Sequence, residues 1–222
     1  IRTRIQLISL LAICFLVFLP VLFYPFVHDD IVFIKDNPNI RHFNDWPQVF
    51  VTQHLNLSSS GINTYYRPIL DIIYRIEYAW FGLNPMGWHF FNILVHAING
   101  LLVFYLLMML GFRGLLPWVG AVVFLIHPVQ SEAVTCVSGI SNLWMGLCVF
   151  AALIFYLRGY FGACAAAVVV GIFTKEGAMM VFPLMLLLDW YRGKLAWRRV
   201  FLLAGLALCI LLLRGHITGA NL

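Results

Sequence analysis

The chain has 222 residues, 63% of them hydrophobic and only 10% charged, whereas a soluble domain carries about a quarter charged residues. That excludes an ordinary soluble domain and leaves one transmembrane domain over 1–222, with room for roughly six or seven spans of about 20 residues. The net charge of +5 is accounted for by topology, so it gives no reason to invoke nucleic acid as a partner.

Hydrophobic runs at about 5–27, 87–110, 115–127, 140–157, 160–174, 177–190 and 200–213 are separated by polar or Gly/Pro-containing breaks. Each is expected to be a helix, giving an all-α polytopic bundle of about seven spans. The first run contains Pro20 and leads into Tyr24, Pro25 and Phe26 with no small-residue cleavage site. It therefore reads as a retained span and not as a secretory signal. Directly after it come Asp29 and Asp30, held by that helix at the membrane surface, where a carboxylate could act as general base or metal ligand. The competing reading is a solvated helix end.

Residues 28–81 form the first extracytoplasmic loop. From His28 to about Thr64 it is polar, with Asp29, Asp30, Asp36, Asp45 and an Asn56-Leu57-Ser58 sequon, and it is too long for a simple connector. From Tyr66 to Trp80, apolar residues at 69, 72, 73, 76 and 80 face away from Arg67, Asp71 and Arg75, which recur at four-residue steps. That pattern predicts an amphipathic helix lying in the interface. Asn84-Pro85 ends it and starts the second span, whose first turns carry Trp88, His89 and Asn92. His127-Pro128 closes the third span, and Glu132 follows either as a site residue or as part of a capping segment with Ser131.

With the N-terminus in the cytoplasm, Arg2, Arg4, Arg113, Arg158, Arg192, Lys194, Arg198 and Arg199 lie inside, as the positive-inside rule asks. Asp189 is the one acid with them, and the other eight acids lie outside. The spans from Arg158 to Lys175, Glu176 to Arg192 and Arg199 to Arg214 cover roughly 26, 24 and 22 Å at about 1.5 Å per residue, short of a core of about 30 Å. Lys175, Glu176 and Arg214 then sit below the outer surface, in the wall of an outward-open cavity, unless tilt, thinning and snorkelling absorb the difference.

The five cysteines (Cys14, Cys136, Cys148, Cys164, Cys209) show no C-x-x-C and suit core packing. None of the seven histidines pairs as H-x-x-x-H. His96 reads as a packed, hydrogen-bonded core residue, and His28, beside the acids, is the one histidine to follow as a metal ligand. A start at Ile1 and a hydrophobic run close to the other end lead us to expect the N-terminal part of a longer protein.

Phe26-Val27-His28-Asp29-Asp30, Asp36-Asn37-Pro38, Tyr66-Arg67-Pro68, Gly87-Trp88-His89-Phe90-Phe91-Asn92-Ile93-Leu94-Val95-His96-Ala97, His127-Pro128-Val129-Gln130-Ser131-Glu132-Ala133-Val134 and Lys175-Glu176-Gly177 occur in that order. From about residue 20 to 190 their order and spacing resemble the membrane half of the transmembrane and tetratricopeptide-repeat O-mannosyltransferases and their prokaryotic relatives, within the GT-C glycosyltransferases.

The resemblance implies transfer of a sugar, a hexose such as mannose, from a polyprenyl-phosphate donor on the lumenal or periplasmic side. It also implies an acidic pair in the first outer loop, matched by Asp29 and Asp30. On it, Asp29 is the base and Asp30 a donor-sugar or metal contact, with the two interchangeable. Lys175, Arg214 and Arg67 meet the leaving phosphate. Glu132, His89 and Glu176 touch sugar or acceptor. The cofactor is left open between none and a divalent cation at Asp30 and His28. Partners are the lipid-linked sugar, membrane lipid, a protein acceptor and a membrane complex. The family adds tetratricopeptide repeats, which do not occur within these 222 residues. The expected home is a bacterial cytoplasmic membrane, with the endoplasmic reticulum as the alternative that the sequon would suit. A transporter, or a structural subunit without catalysis, are the rival readings. The transporter lacks the repeated hydropathy that its fold would show.

Overall fold

The computed structural model describes residues 2–50, 66–193 and 196–218. The Asn56-Leu57-Ser58 sequon and Lys194 lie outside the described residues, and so do the side chains of Arg2, Asp45 and Arg214. Among the described residues every regular element is helical. In chain order these are α1 Arg2–Phe18, α2 Pro68–Phe81, α3 Pro85–Met109, α4 Leu116–Ile126, α5 Ser131–Thr135, α6 Ile140–Arg158, α7 Phe161–Thr174, α8 Val181–Tyr191 and α9 Trp197–Thr218. Short helical turns connect them, among them Leu19–Phe23 after α1, Pro38–Arg41 and Phe43–Phe50 before α2, and Glu176–Met180 before α8.

Three stretches are long and apolar enough to cross a membrane: Thr3–Phe23, Pro85–Met109 and Val137–Arg158. The chain is a membrane protein on that ground. α4 and α7 are apolar but shorter, and α8 has only 11 residues. The first span ends earlier than its hydrophobic run. Tyr24 turns extended, because the residue before a proline, here Pro25, disfavours the helical region. α3 begins as its sequence demands: Pro85 takes the first helical position and Asn84 Oδ1 accepts the Met86 N–H at 3.2 Å.

α3 is the hub, packed against α1, α2, α4 and α6. Its polar residues tie it to its neighbours. His96 Nε2 donates to the Leu125 carbonyl at the end of α4, 3.0 Å away, and Asn99 Nδ2 donates to the Leu143 carbonyl in α6 at 2.9 Å. In an apolar bundle such interhelical bonds contribute about 0.6–2 kcal/mol each.

Hydrogen bonds also sort the bundle into two ends. At one end, Gln6 Nε2 donates to the Gly114 carbonyl, Trp118 Nε1 to Ser9 Oγ, Tyr191 OH to the Leu110 carbonyl, and Arg158 to the Tyr105 hydroxyl. Arg4, Arg113, Arg158, Arg192, Arg198 and Arg199 are exposed there. At the other end are the first loop, the starts of α3 and α6, and the α7–α8 connection. α7 and α8, though short, run from one end to the other.

α2 corrects the sequence reading in one respect. Its charged stripe does not face water: Asp71, Arg75 and Glu77 are buried, while Ile69, Ile72, Ile76 and Trp80 lie on the open side. Arg75 bonds Asp71 and donates to the His42 carbonyl, so the charges pack beneath the turns at 38–50.

Candidate active site

A cavity of about 490 Å³ opens at the acid-rich end. Its wall is built from four places in the sequence. The turn after α1 supplies His28 and Asp29, the start of α2 supplies Arg67 and Tyr74, the α5–α6 segment supplies Glu132 and Asn142, and the end of α7 supplies Lys175.

The turn after α1 is tight. His28 has a φ of 47°, a left-handed conformation in which histidine is one of the few enriched non-glycine residues. The Val27 and His28 carbonyls accept the N–H groups of Asp30 and Ile31 at 2.9 and 3.2 Å. Asp29 is exposed into the cavity, whereas its neighbour Asp30 is fully buried and does not line it.

The lining also carries two cations. Arg67 meets Glu176 through two bonds, Nη2 to Oε1 at 2.7 Å and Nε to Oε2 at 3.3 Å. That bidentate pair joins the start of α2 to the α7–α8 connection. Lys175 Nζ donates to Asn142 Oδ1 in the first turn of α6. Half-burial lowers the Lys175 ammonium from its ordinary range and Arg67 lowers it further, while Glu176 and Glu132 oppose the shift. Cys136 marks the acidic side: burial raises its thiol, and Asp30, Glu132 and Asp29 push the same way.

The site is rigid where α5 turns into α6. Asn92 Nδ2 donates to the carbonyls of Cys136 and Val137 at 2.9 and 3.3 Å. A Cβ on Gly139 would lie 2.4 Å from the Ala133 carbonyl oxygen, so only glycine permits that close approach.

Of the residues named from sequence, the structure brings His28, Asp29, Arg67, Glu132 and Lys175 into the lining of one cavity. Glu176 stands beside it as the partner of Arg67. Two do not reach it. His89 is fully buried, with Nε2 donating to the Tyr24 carbonyl at 3.1 Å, so it holds the end of the first span against α3 and touches nothing in the cavity. Asp30 is likewise enclosed and does not line the cavity. For Arg214, the side chain lies outside the described ones. Among the described residues no group of three or more His, Cys, Asp or Glu gathers as a metal site, and Asp30 does not share the wall with His28.

Sequence reasoning missed Tyr74, Ser138, Ser141 and Asn142. The signal for the last three was present: Ser138-Gly139-Ile140-Ser141-Asn142 is a polar cluster opening an apolar helix. Tyr74 carries none, since it is uncharged and falls outside both the apolar positions and the charged steps read for α2.

Comparison with known proteins agrees with the resemblance read from the ordered motifs. The chain is 29% identical over 136 residues, 60% of its length, to protein O-mannosyl-transferase TMTC2 of Homo sapiens. It is 27% identical over 194 residues, 83% of its length, to protein O-mannosyl-transferase F38B6.6 of Caenorhabditis elegans. To protein O-mannosyl-transferase TMTC1 of Mus musculus it is 30% identical over 145 residues, or 63%. These matches span 16%, 28% and 15% of the three relatives' own lengths. No family model and no solved structure matches the chain.

Proposed function

We propose that this chain forms the membrane part of a polyprenyl-phosphate-sugar-dependent glycosyltransferase of the GT-C type, with mannose as the sugar and a hydroxyl of a protein as the acceptor. In this reading α1, α3, α4, α6, α7, α8 and α9 are seven spans, the arginine-rich end faces the cytoplasm, and the cavity opens on the far side. The observation that carries it is the shared cavity, whose lining includes the carboxylate of Asp29 and the cations Arg67 and Lys175. The names of the relatives supply the sugar and the kind of acceptor.

The chemistry follows from what each of these groups can do. Asp29 takes the proton of the acceptor hydroxyl as its oxygen bonds to C1 of the sugar. The bond from C1 to the phosphate oxygen breaks on the opposite face, and its electron pair leaves with the lipid phosphate. Arg67 and Lys175 meet that growing negative charge, the arginine as a planar fork and the lysine as a point charge. Glu132 is in position to accept hydrogen bonds from sugar or acceptor hydroxyls. Arg67 starts from a bond to Glu176, so phosphate must compete with a resident carboxylate.

The test is transfer of labelled mannose from polyprenyl-phosphate mannose by the purified full-length protein, compared with Asp29→Asn and Lys175→Gln. Transfer by the wild type, with loss in both variants, supports the reading. If the wild type transfers and both variants match it, the catalytic assignment is wrong.

A further inference from the structure

We infer that the two adjacent aspartates divide the work, Asp29 facing the substrates and Asp30 acting as the positioning residue that registers two segments of the cavity lining. The inference rests on the transfer reading above. Asp30 is fully buried, and both of its carboxylate oxygens are engaged by backbone. Oδ2 accepts the Val27 N–H at 3.2 Å, closing the left-handed turn at His28. Oδ1 accepts the Ser138 N–H at 2.7 Å, 108 residues along the chain.

The second bond matters most. Ser138 sits one residue before Gly139, whose missing side chain allows the close approach to the Ala133 carbonyl. Asn92 holds the same segment from α3. Four residues on, Asn142 bonds Lys175. One buried carboxylate thus joins the turn that aims Asp29 to the wall that holds Lys175. Charge-assisted bonds to backbone N–H groups are short and strong, and the 2.7 Å contact is of that kind. A direct role in proton transfer or metal binding would need Asp30 to leave both donors and enter the cavity.

Hydrogen exchange and transfer, measured together on the full-length protein, separate the roles. Asp30→Ala frees the Ser138 N–H and should raise its exchange by about tenfold or more, the loss of one charge-assisted bond. Asp30→Asn keeps one acceptor oxygen and should restore most of that protection, while Asp29→Asn should leave it untouched. In transfer, Asp30→Asn should retain about a tenth or more of wild-type kcat, and Asp29→Asn should fall far lower. The inference is overturned if Ser138 exchange is unchanged in Asp30→Ala. It is also overturned if Asp30→Asn is as inactive as Asp29→Asn while Ser138 stays protected. A wild-type protein that transfers nothing would sink the transfer reading alone, because the exchange result decides the clamp without it.

Discussion

The two ends of this bundle handle charge in opposite ways. At the arginine-rich end the cations stand exposed, and the single acid, Asp189, is buried, accepting from the Tyr156 hydroxyl and the Ala196 N–H at 2.8 Å each. There the acid is a structural tie between α6, α8 and the start of α9. At the cavity end, acids and cations share one recess, with Arg67 paired to Glu176 and Lys175 tethered by Asn142. Net charge thus separates the two ends, whereas the cavity gathers acids and cations together at one of them.

Substitutions at the two ends should therefore differ in kind. The largest effect is expected from Asp29→Asn, with kcat for sugar transfer reduced about 10²–10⁴-fold, the range for removing a general base. Lys175→Gln should cost about 10²-fold, as loss of a group that meets developing charge does, and should weaken donor binding as well. Because burial and Arg67 lower the Lys175 ammonium, donor affinity should fall with rising pH before the ordinary lysine range near ~10.4 is reached. Lys175→Arg, always charged, should abolish that pH dependence.

Gly139→Ala should destabilise the protein by about 1–3 kcal/mol, read as a lowered thermal midpoint, and should reduce transfer by displacing Asn142. At the other end, Asp189→Ala leaves the Tyr156 hydroxyl and the Ala196 N–H without their acceptor. It should cost about 1–3 kcal/mol in stability with kcat close to wild type.

The smallest effect is expected at Glu77. It is fully buried with neither oxygen partnered among the described residues, and burial raises its carboxyl well above the usual range. A carboxyl raised in the fold favours the folded state below its unfolded pKa of about 4.3, and that contribution is lost as pH rises through the folded value. Glu77→Gln should remove this slope, leaving stability flatter with pH and slightly higher at neutral pH.

Much of the architecture was legible because hydrophobic runs and charges are coarse signals. The helices fall where the runs predict, and Pro85 and Asn84 mark the start of α3 to the residue. The site was legible in part. His28-Asp29, Arg67, Glu132 and Lys175 stand out as charged or titratable residues at helix ends. Asp29 and Asp30 could not be told apart from sequence, since a left-handed turn at His28 decides which one is enclosed. α2 read correctly as amphipathic but with its faces reversed, because periodicity gives the stripe and not the solvent on either side of it. His89 is a sugar or acceptor contact on the family resemblance, yet a backbone carbonyl at Tyr24 claims its ring.

If one cavity supplies both a base at Asp29 and a phosphate site at Lys175, the two roles should separate by substitution. The most direct test is binding of polyprenyl phosphate to the full-length protein, followed alongside kcat for Asp29→Asn and Lys175→Gln. The account expects Asp29→Asn to bind the lipid phosphate as wild type does while losing transfer, and Lys175→Gln to lose binding by about tenfold or more, as removal of a charged partner entails. Unchanged binding in Lys175→Gln, or full transfer by Asp29→Asn, would contradict it.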